Sequence, residues 1–385
     1  MDKKIIFCQF SATGNKDAVE YFRKKSRKFA YLLLSFHHVR SGGKTNLSIY
    51  KRGKKIGERE LLFLHPRRQL VFLLMPFLYF VHLLNILGLR IFLKERYDLF
   101  IGQNYFCAFG GILLKWLGVT KKSVYWVGDY YPPLPHGPYR YLLWAFRMLD
   151  RFCLKFSDEV WFMTPRLLEV RRKGKILPKR PGSVYKMVTA PIDLDNSPHV
   201  NLEEVDFHSA AFLGVLSENQ GVQEIIRAIP GIIKTIPDFK FNIIGSGYFE
   251  GNLRDLVEKL GLGEHVDFKG FVASEEEVRR IIARSGAAIA LYKPDKYSFT
   301  QFADSGKVKI YLSCQTPVVL TRVPYIAEEV DEYQAGLVID YEREELERAL
   351  IRILSDRELN RRCRENALKL AKTYDVGGIL GNVLG

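Results

Sequence analysis

The sequence has 385 residues, 47% of them hydrophobic and 26% charged, with a formal charge of +15. That length exceeds one ordinary hydrophobic core and suits two domains of roughly 150–200 residues each, and the composition excludes a disordered chain. The charge is unevenly divided: residues 1–195 hold 35 Lys/Arg against 14 Asp/Glu, a net of +21, whereas residues 196–385 hold 23 against 29, a net of −6. A one-sided cationic field attracts anionic lipid or nucleic acid. Cys8, Cys107, Cys153, Cys314 and Cys363 lie far apart, with no CxxC pair and no His at metal spacing. That pattern argues for a reducing compartment and against structural zinc.

Taken in chain order, Met1-Asp2-Lys3-Lys4 precedes an apolar run too short for a signal peptide, so Lys4–Cys8 reads as a first strand. Further strands are predicted at Phe29–Ser35, Leu61–Leu64, Tyr97–Ile101, Ser123–Val127, Glu159–Met163 and Val184–Val188, with a basic hairpin or loop over Asn46–Arg59. Pro191–Pro198 lacks any period and ends in Pro, the mark of a linker. The pattern then restarts with strands at Ala210–Leu213, Phe239–Ile244, Val266–Phe268, Ala287–Leu291, Pro317–Leu320 and Gly336–Ile339. Helical patterns lie between them, and Ser274 with Glu277 and Ser355 with Glu358 have capping-box spacing. Strands alternating with helices from end to end predict an α/β class with parallel sheets, here two Rossmann-like domains in succession. Such sheets bind ligands beyond the carboxyl ends of their strands.

Leu70–Leu89 is almost wholly apolar, broken only by Pro76, His82, Asn85 and Gly88, and flanked by Arg67-Arg68, Arg90 and Lys94. It is long enough to span a bilayer, but the strands before and after it belong in one sheet, which cannot have strands on both sides of a membrane. Three readings remain: a buried helix, a monotopic helix in the interface with basic flanks on anionic headgroups, or a re-entrant hairpin bent at Pro76. Arg23-Lys24-Lys25, Lys51-Arg52, Lys54-Lys55 and Arg171-Arg172-Lys173 are candidates to join the same cationic surface.

From Ala210 onward the order of motifs resembles the donor domain of glycosyltransferase family 4. The resemblance runs through Phe212-Leu213-Gly214-Val215-Leu216, Gln220-Gly221-Val222, Asn242-Ile243-Ile244-Gly245-Ser246-Gly247 and Val266–Phe271. It continues with Gly306-Lys307-Val308-Lys309-Ile310-Tyr311-Leu312, Thr316-Pro317-Val318-Val319 and a closing helix over Arg362–Tyr374. Over 98–190 it is weaker and rests on Tyr125–Pro132. The resemblance implies a GT-B architecture, two Rossmann-like domains facing a cleft. Residues 1–195 would be the acceptor side, with a membrane-associating segment at 66–94. Residues 196–372 would bind the donor, and a tail, 373–385, would return to the first domain.

Glycine at Gly214 permits close approach of backbone to a diphosphate; a helix opening near Gln220 and Gly221 would aim free N–H groups at the same anion, and Gly245-Ser246-Gly247 repeats the design one strand later. Lys307 matches a lysine that many family members place against a phosphate, or is a solvated lysine at a helix start. Ser305 would cap that helix. The family commonly has an Arg after the first glycine and a Lys before the second; here Val215 and Gln220 stand in those places. Its Glu-x7-Glu pattern falls on Phe302 and Ile310, so both carboxylates are absent, with Asp304 the nearest substitute. On the acceptor side Asp129, after a predicted strand, would orient or deprotonate an acceptor hydroxyl, or is a turn residue; His136 is a second candidate.

The function implied is retaining transfer of a sugar from a nucleotide-sugar donor to a lipid-linked or membrane-held glycan acceptor, with no cofactor and no metal. The expected site is the cytoplasmic face of the inner membrane, against an anionic surface. The competing reading is a non-catalytic scaffold or partner subunit that keeps the fold. Nucleic acid is not an expected partner, because no RNP, zinc-finger or helix-turn-helix signature accompanies the charge.

Overall fold

A computed structural model describes residues 2–10, 15–35, 45–62, 71–133, 137, 139–179, 182–195, 197–198 and 200–384, with side chains at 71–75 and 139 left aside. His136 therefore lies outside the described residues. The chain divides into two compact units, Met1–Pro191 with Ile379–Gly385, and Ile192–Gly378.

In the first unit the elements are β1 (Lys4–Phe10), α1 (Lys16–Lys25), β2 (Lys28–Leu34), β3 (Asn46–Lys51), β4 (Lys54–Glu60), α2 (Val71–Phe92) and β5 (Tyr97–Gln103). They continue with α3 (Tyr105–Trp116), β6 (Thr120–Val127), α4 (Tyr139–Phe156), β7 (Glu159–Phe162), α5 (Pro165–Lys173) and β8 (Val184–Met187). The eight strands form one sheet in the order β4-β3-β2-β1-β5-β6-β7-β8. All pairs are parallel except those of the hairpin β3–β4, which turns at Arg52 and Gly53 with positive φ and adds two antiparallel strands to the edge. Exposed Lys and Glu on β4 suit an edge strand, because charge there opposes pairing with another chain. The strand expected at Leu61–Leu64 falls after β4, and its last two positions lie outside the described residues.

The second unit runs β9 (Asp206–Leu213), α6 (Val222–Ile232), β10 (Lys240–Ile244), α7 (Glu250–Lys259), β11 (Val266–Gly270), α8 (Glu275–Arg284) and β12 (Ser285–Ala290). There follow α9 (Gly306–Ser313), β13 (Val318–Thr321), α10 (Ile326–Tyr333), β14 (Gly336–Ile339), α11 (Arg343–Ser355) and α12 (Arg357–Thr373); of the last helix, α13 (Val376–Leu384), the residues from Ile379 on belong to the first unit. Its six strands are all parallel, in the order β11-β10-β9-β12-β13-β14. β12 and β13 are buried at every position because helices cover both faces of such a sheet. The order reverses between β9 and β12, so a crevice for ligand is expected beyond their carboxyl ends.

Ser274 accepts the Glu277 N–H at 3.2 Å, as its capping-box spacing predicts. Ser355 does not cap. It is the last residue of α11, and Asp356, the one extended residue between two abutting helices, accepts the Leu359 N–H at 2.9 Å instead.

The long apolar stretch is a continuous helix that runs through Pro76, not a hairpin bent there. It is neither wholly buried nor wholly free. Leu78, Val81, Ile86 and Leu89 join the core together with the polar His82 and Asn85, while Phe77, Phe80, Leu84 and Ile91 are exposed. Asn85 donates to the Leu62 carbonyl at 2.7 Å. Among the described residues no helix is long and apolar enough to cross a membrane.

Candidate active site

In the second unit, the loops after β9 and β10 are locked together. A Cβ on Gly245 would stand 1.9 Å from the Gly214 carbonyl oxygen, and one on Gly247 would stand 2.1 Å from that of Leu216. These glycines are required by the approach of two backbones, whatever else they do. The Gly214 N–H donates to Ile244 at 3.0 Å, the Gly245 N–H to Gly270 at 2.8 Å, and the Leu216 N–H to Ser246 at 3.1 Å. The amides of Gly214 and Gly245 are thus committed to the sheet and not offered to an anion, a correction to the sequence expectation. What Gly214 supplies is room: a Cβ there would lie 3.6 Å from the Lys307 Nζ and 3.3 Å from the Phe212 ring.

Lys307 sits in that room. Its ammonium lies over the rings of Phe212 at 4.5 Å and Tyr292 at 5.0 Å, and donates to the Gln220 Oε1. The residue is partly exposed, yet enough protein surrounds its charge for lost hydration to push its pKa down to about 7. Gln220 ends a short 3-10 turn, and Gly221 follows in the left-handed region with φ 71° as it opens α6. Val215, where the family carries Arg, is 64% exposed. The first amides of α9 have no carbonyl one turn back and carry the positive end of the helix dipole.

Two expectations at this helix are corrected. Ser305 makes no side-chain cap; its hydroxyl pairs with the Tyr292 hydroxyl at 2.6 Å. Asp304 does not replace the missing carboxylates. It forms a buried ion pair with Lys309 at 2.5 Å, and Lys309 lies over the Tyr374 ring at 4.4 Å. Ile310 packs on the hydrophobic core.

In the first unit, Gly128-Asp129-Tyr130 follows β6. Behind it stands a fully buried ion pair: the Arg171 Nε donates to the Asp150 Oδ2 at 2.9 Å, and the Tyr125 hydroxyl to the Oδ1 at 2.6 Å. Arg171 reaches on with Nη2 to the Asp129 carbonyl and with Nη1 to that of Leu167, each at 3.0 Å. Burial raises the Asp129 carboxyl pKa against the opposing pull of Arg171. Asp129 lines a pocket with Tyr105, Tyr131, Arg147, Asp150 and Arg171. Among the described residues no cluster of three or more His, Cys, Asp or Glu is placed to hold a metal.

Residues 195–370 match the family described as Glycosyl transferases group 1. That match takes in 176 of the 385 residues, a little under half of the chain, and lies wholly in the second unit. A GDP-mannose-dependent alpha-(1-6)-phosphatidylinositol monomannoside mannosyltransferase of Mycolicibacterium smegmatis is 28% identical over 131 residues. That alignment takes in 33% of this chain and only 33% of the relative, about a third of the length of each. Sucrose-phosphate synthase from Thermosynechococcus elongatus superposes with a TM-score of 0.71 at 13% identity, covering 99% of this chain and 98% of that one. Anabaena HepE, solved in complex with UDP, gives 0.67 at 14% identity, covering 100% and 98%. At those identities the likeness is one of fold, and the fold is GT-B.

The second unit brings Gln220 and Lys307 into direct contact beside Gly214, with Ser305 joined through Tyr292; Gly245 and Gly247 buttress the Gly214 loop, and Asp304 is held in its own ion pair with Lys309. Tyr292 and Phe212 escaped the sequence reading because an aromatic beside a strand end looks like core until a cation is found on its face. Arg171 was grouped with surface cations but is buried. Its i+4 spacing from Leu167, buried on the same face of α5, was the available signal.

Proposed function

We propose that this chain transfers a sugar from a nucleotide-sugar donor, bound by the group 1 domain, to a lipid-linked or glycan acceptor at an anionic membrane surface. The observation that carries the donor half is Lys307: a cation with reduced hydration, on two aromatic faces, beside the start of α9 and the sterically empty Gly214. No carboxylate among the described residues offsets it; its hydrogen-bond partner is a neutral amide. A diphosphate would supply the missing negative charge, and its departure from the sugar is the step at which such charge stabilisation counts. Chemistry of this kind is mostly positioning and electrostatics. Retention of the anomeric configuration, with no metal and no cofactor, follows the family resemblance. On the acceptor side Asp129 orients or deprotonates the attacking hydroxyl, and its raised pKa makes it a better base than an ordinary carboxylate.

The membrane half rests on α2. Its polar His82 and Asn85 turn inward while Phe77, Phe80, Leu84 and Ile91 face out, the reverse of a helix built for water. An interfacial helix beside a strongly cationic first half suits anionic headgroups. The cytoplasmic face of the inner membrane is the site we assign. The phosphatidylinositol mannoside acceptor named for the mycobacterial relative points to the same class of acceptor.

The test is incubation of the purified chain with a panel of nucleotide sugars and a membrane extract. One donor should be consumed, and Lys307→Met should abolish its consumption. The withdrawn Asp304 and the exposed Val215 favour one rival, a folded scaffold that lacks turnover. A rise in melting temperature with UDP or GDP, without consumption of any sugar donor, would select that rival; neither binding nor turnover in a folded sample would remove the transferase reading.

A further inference from the structure

The pocket beside Asp129 contains a cation with no role in the ion pair behind it. α4 presents Leu143, Phe146, Arg147 and Asp150 to the pocket, one face at helical spacing. Asp150 is spent on Arg171 and Tyr125. That leaves Arg147 as the unbalanced charge of the wall. Its Nε is buried from solvent and has no hydrogen-bond partner among the described residues. A guanidinium N–H held from water with no acceptor is a standing cost, and native structures seldom carry one without a ligand, ion or water to receive it.

The remaining groups say what kind of ligand fits. Two arginines face two carboxylates around this pocket, but Asp150 is taken up by Arg171 and Tyr125 and burial raises the Asp129 carboxyl pKa, so the wall leans positive. The Tyr105 phenol stays protonated through burial. An oxyanion with several acceptor oxygens suits a planar, multiply donating guanidinium better than a neutral hydroxyl does. The opposite side of α4 carries Tyr141, Trp144 and Met148, all at least half exposed. A ligand at Arg147 therefore has an apolar surface within one helix width.

We propose that this pocket binds a phosphate group of the acceptor through Arg147, which sets the acceptor hydroxyl toward Asp129. This deepens the acceptor half of the function proposed above and rests on it. Arg147 is then a positioning residue, and phosphate esters are the substrate class. The group comes either from a phospholipid head or from a soluble phosphate ester.

The test is calorimetric titration of the full chain with dihexanoyl phosphatidylglycerol below its micellar concentration, glycerol 3-phosphate and, as neutral control, dihexanoyl glycerol. Phosphatidylglycerol should bind, at least tenfold more weakly in Arg147→Met, with partial recovery in Arg147→Lys; the neutral control should bind poorly and equally to all three. Equal affinity for glycerol 3-phosphate would identify a soluble ester as the source, and binding of the lipid alone would identify a headgroup; both support the pocket. Unchanged affinity in folded Arg147→Met, or a neutral control that binds as well as the phospholipid, would overturn it. A parallel titration with UDP reads the donor site separately. An absence of nucleotide binding with Arg147-dependent phosphate binding intact would sink the transferase reading and leave the phosphate site standing without its acceptor role.

Discussion

Lys307 carries its charge where charge is disfavoured, and function and stability should pull apart there. Lys307→Met removes a cation that has lost part of its hydration, so melting temperature should rise, by about 1 kcal/mol of stability on the scale of such surface and cleft changes. Nucleotide affinity in the same variant should fall at least tenfold. The pH dependence has a definite sign. The unfolded chain keeps this proton up to its ordinary value near 10.5, whereas the folded chain releases it near 7. The unfolded state therefore binds more protons in that window, and this residue's contribution to stability rises with pH across it. Nucleotide binding, which needs the ammonium, should weaken over the same range. Measuring the UDP Kd at pH 6, 7 and 8.5 checks this, and Lys307→Arg should flatten the profile. At the other site, Asp129→Asn should lower kcat by about 10²–10⁴ with UDP affinity unchanged. An equal loss of nucleotide binding would show that Asp129 acts through the fold.

Elements hold these residues in place, and the buried Asp150–Arg171 pair between α4 and α5 is the clearest case. Both side chains are nearly inaccessible, and Arg171 also ties the Asp129 carbonyl. Asp150→Ala leaves a buried guanidinium unpaired and should destabilise by about 3–5 kcal/mol. Asp150→Ala with Arg171→Met should cost clearly less than the sum of the single changes, measured by urea denaturation. Much at this scale was legible in sequence. Most strand positions and the Ser274 cap follow from local pattern and steric rules, and the hairpin or loop expected over Asn46–Arg59 is a hairpin, whereas Leu61 and Leu62 are not in a strand. What failed was longer in range. Ser305 looked like a cap, but a hydroxyl 13 positions away, on Tyr292, competed for it. Asp304 looked available, but Lys309, one helical turn on, captured it. Glycines at 214 and 245 were read as phosphate contacts, and their first duty proved to be the approach of two strand-end loops. Neighbours across the sheet are invisible to periodicity.

At the level of the whole chain, the charge is segregated, with the cationic excess in residues 1–195 and a mildly anionic remainder. Binding to vesicles containing phosphatidylglycerol should therefore fall steeply between low and physiological salt. Replacing Phe80 and Ile91 by Ser should weaken that binding further while leaving stability within about 0.5 kcal/mol, because both side chains are exposed. Flotation assays at two ionic strengths read both effects. The GT-B fold was foreseeable from the two successive α/β patterns and the ordered motifs of the second half. The acceptor pocket was not, since its wall joins the start of α3, the loop after β6, α4 and α5, elements with no shared motif.

The most direct measurement is amide hydrogen exchange with and without UDP or GDP. Added nucleotide should protect the first turn of α9 around Lys307 and the loops at 215–216 and 246–247, in wild type and not in Lys307→Met. Unchanged exchange at those positions under saturating nucleotide, or protection confined to residues 1–191, would contradict a donor site at the end of β9.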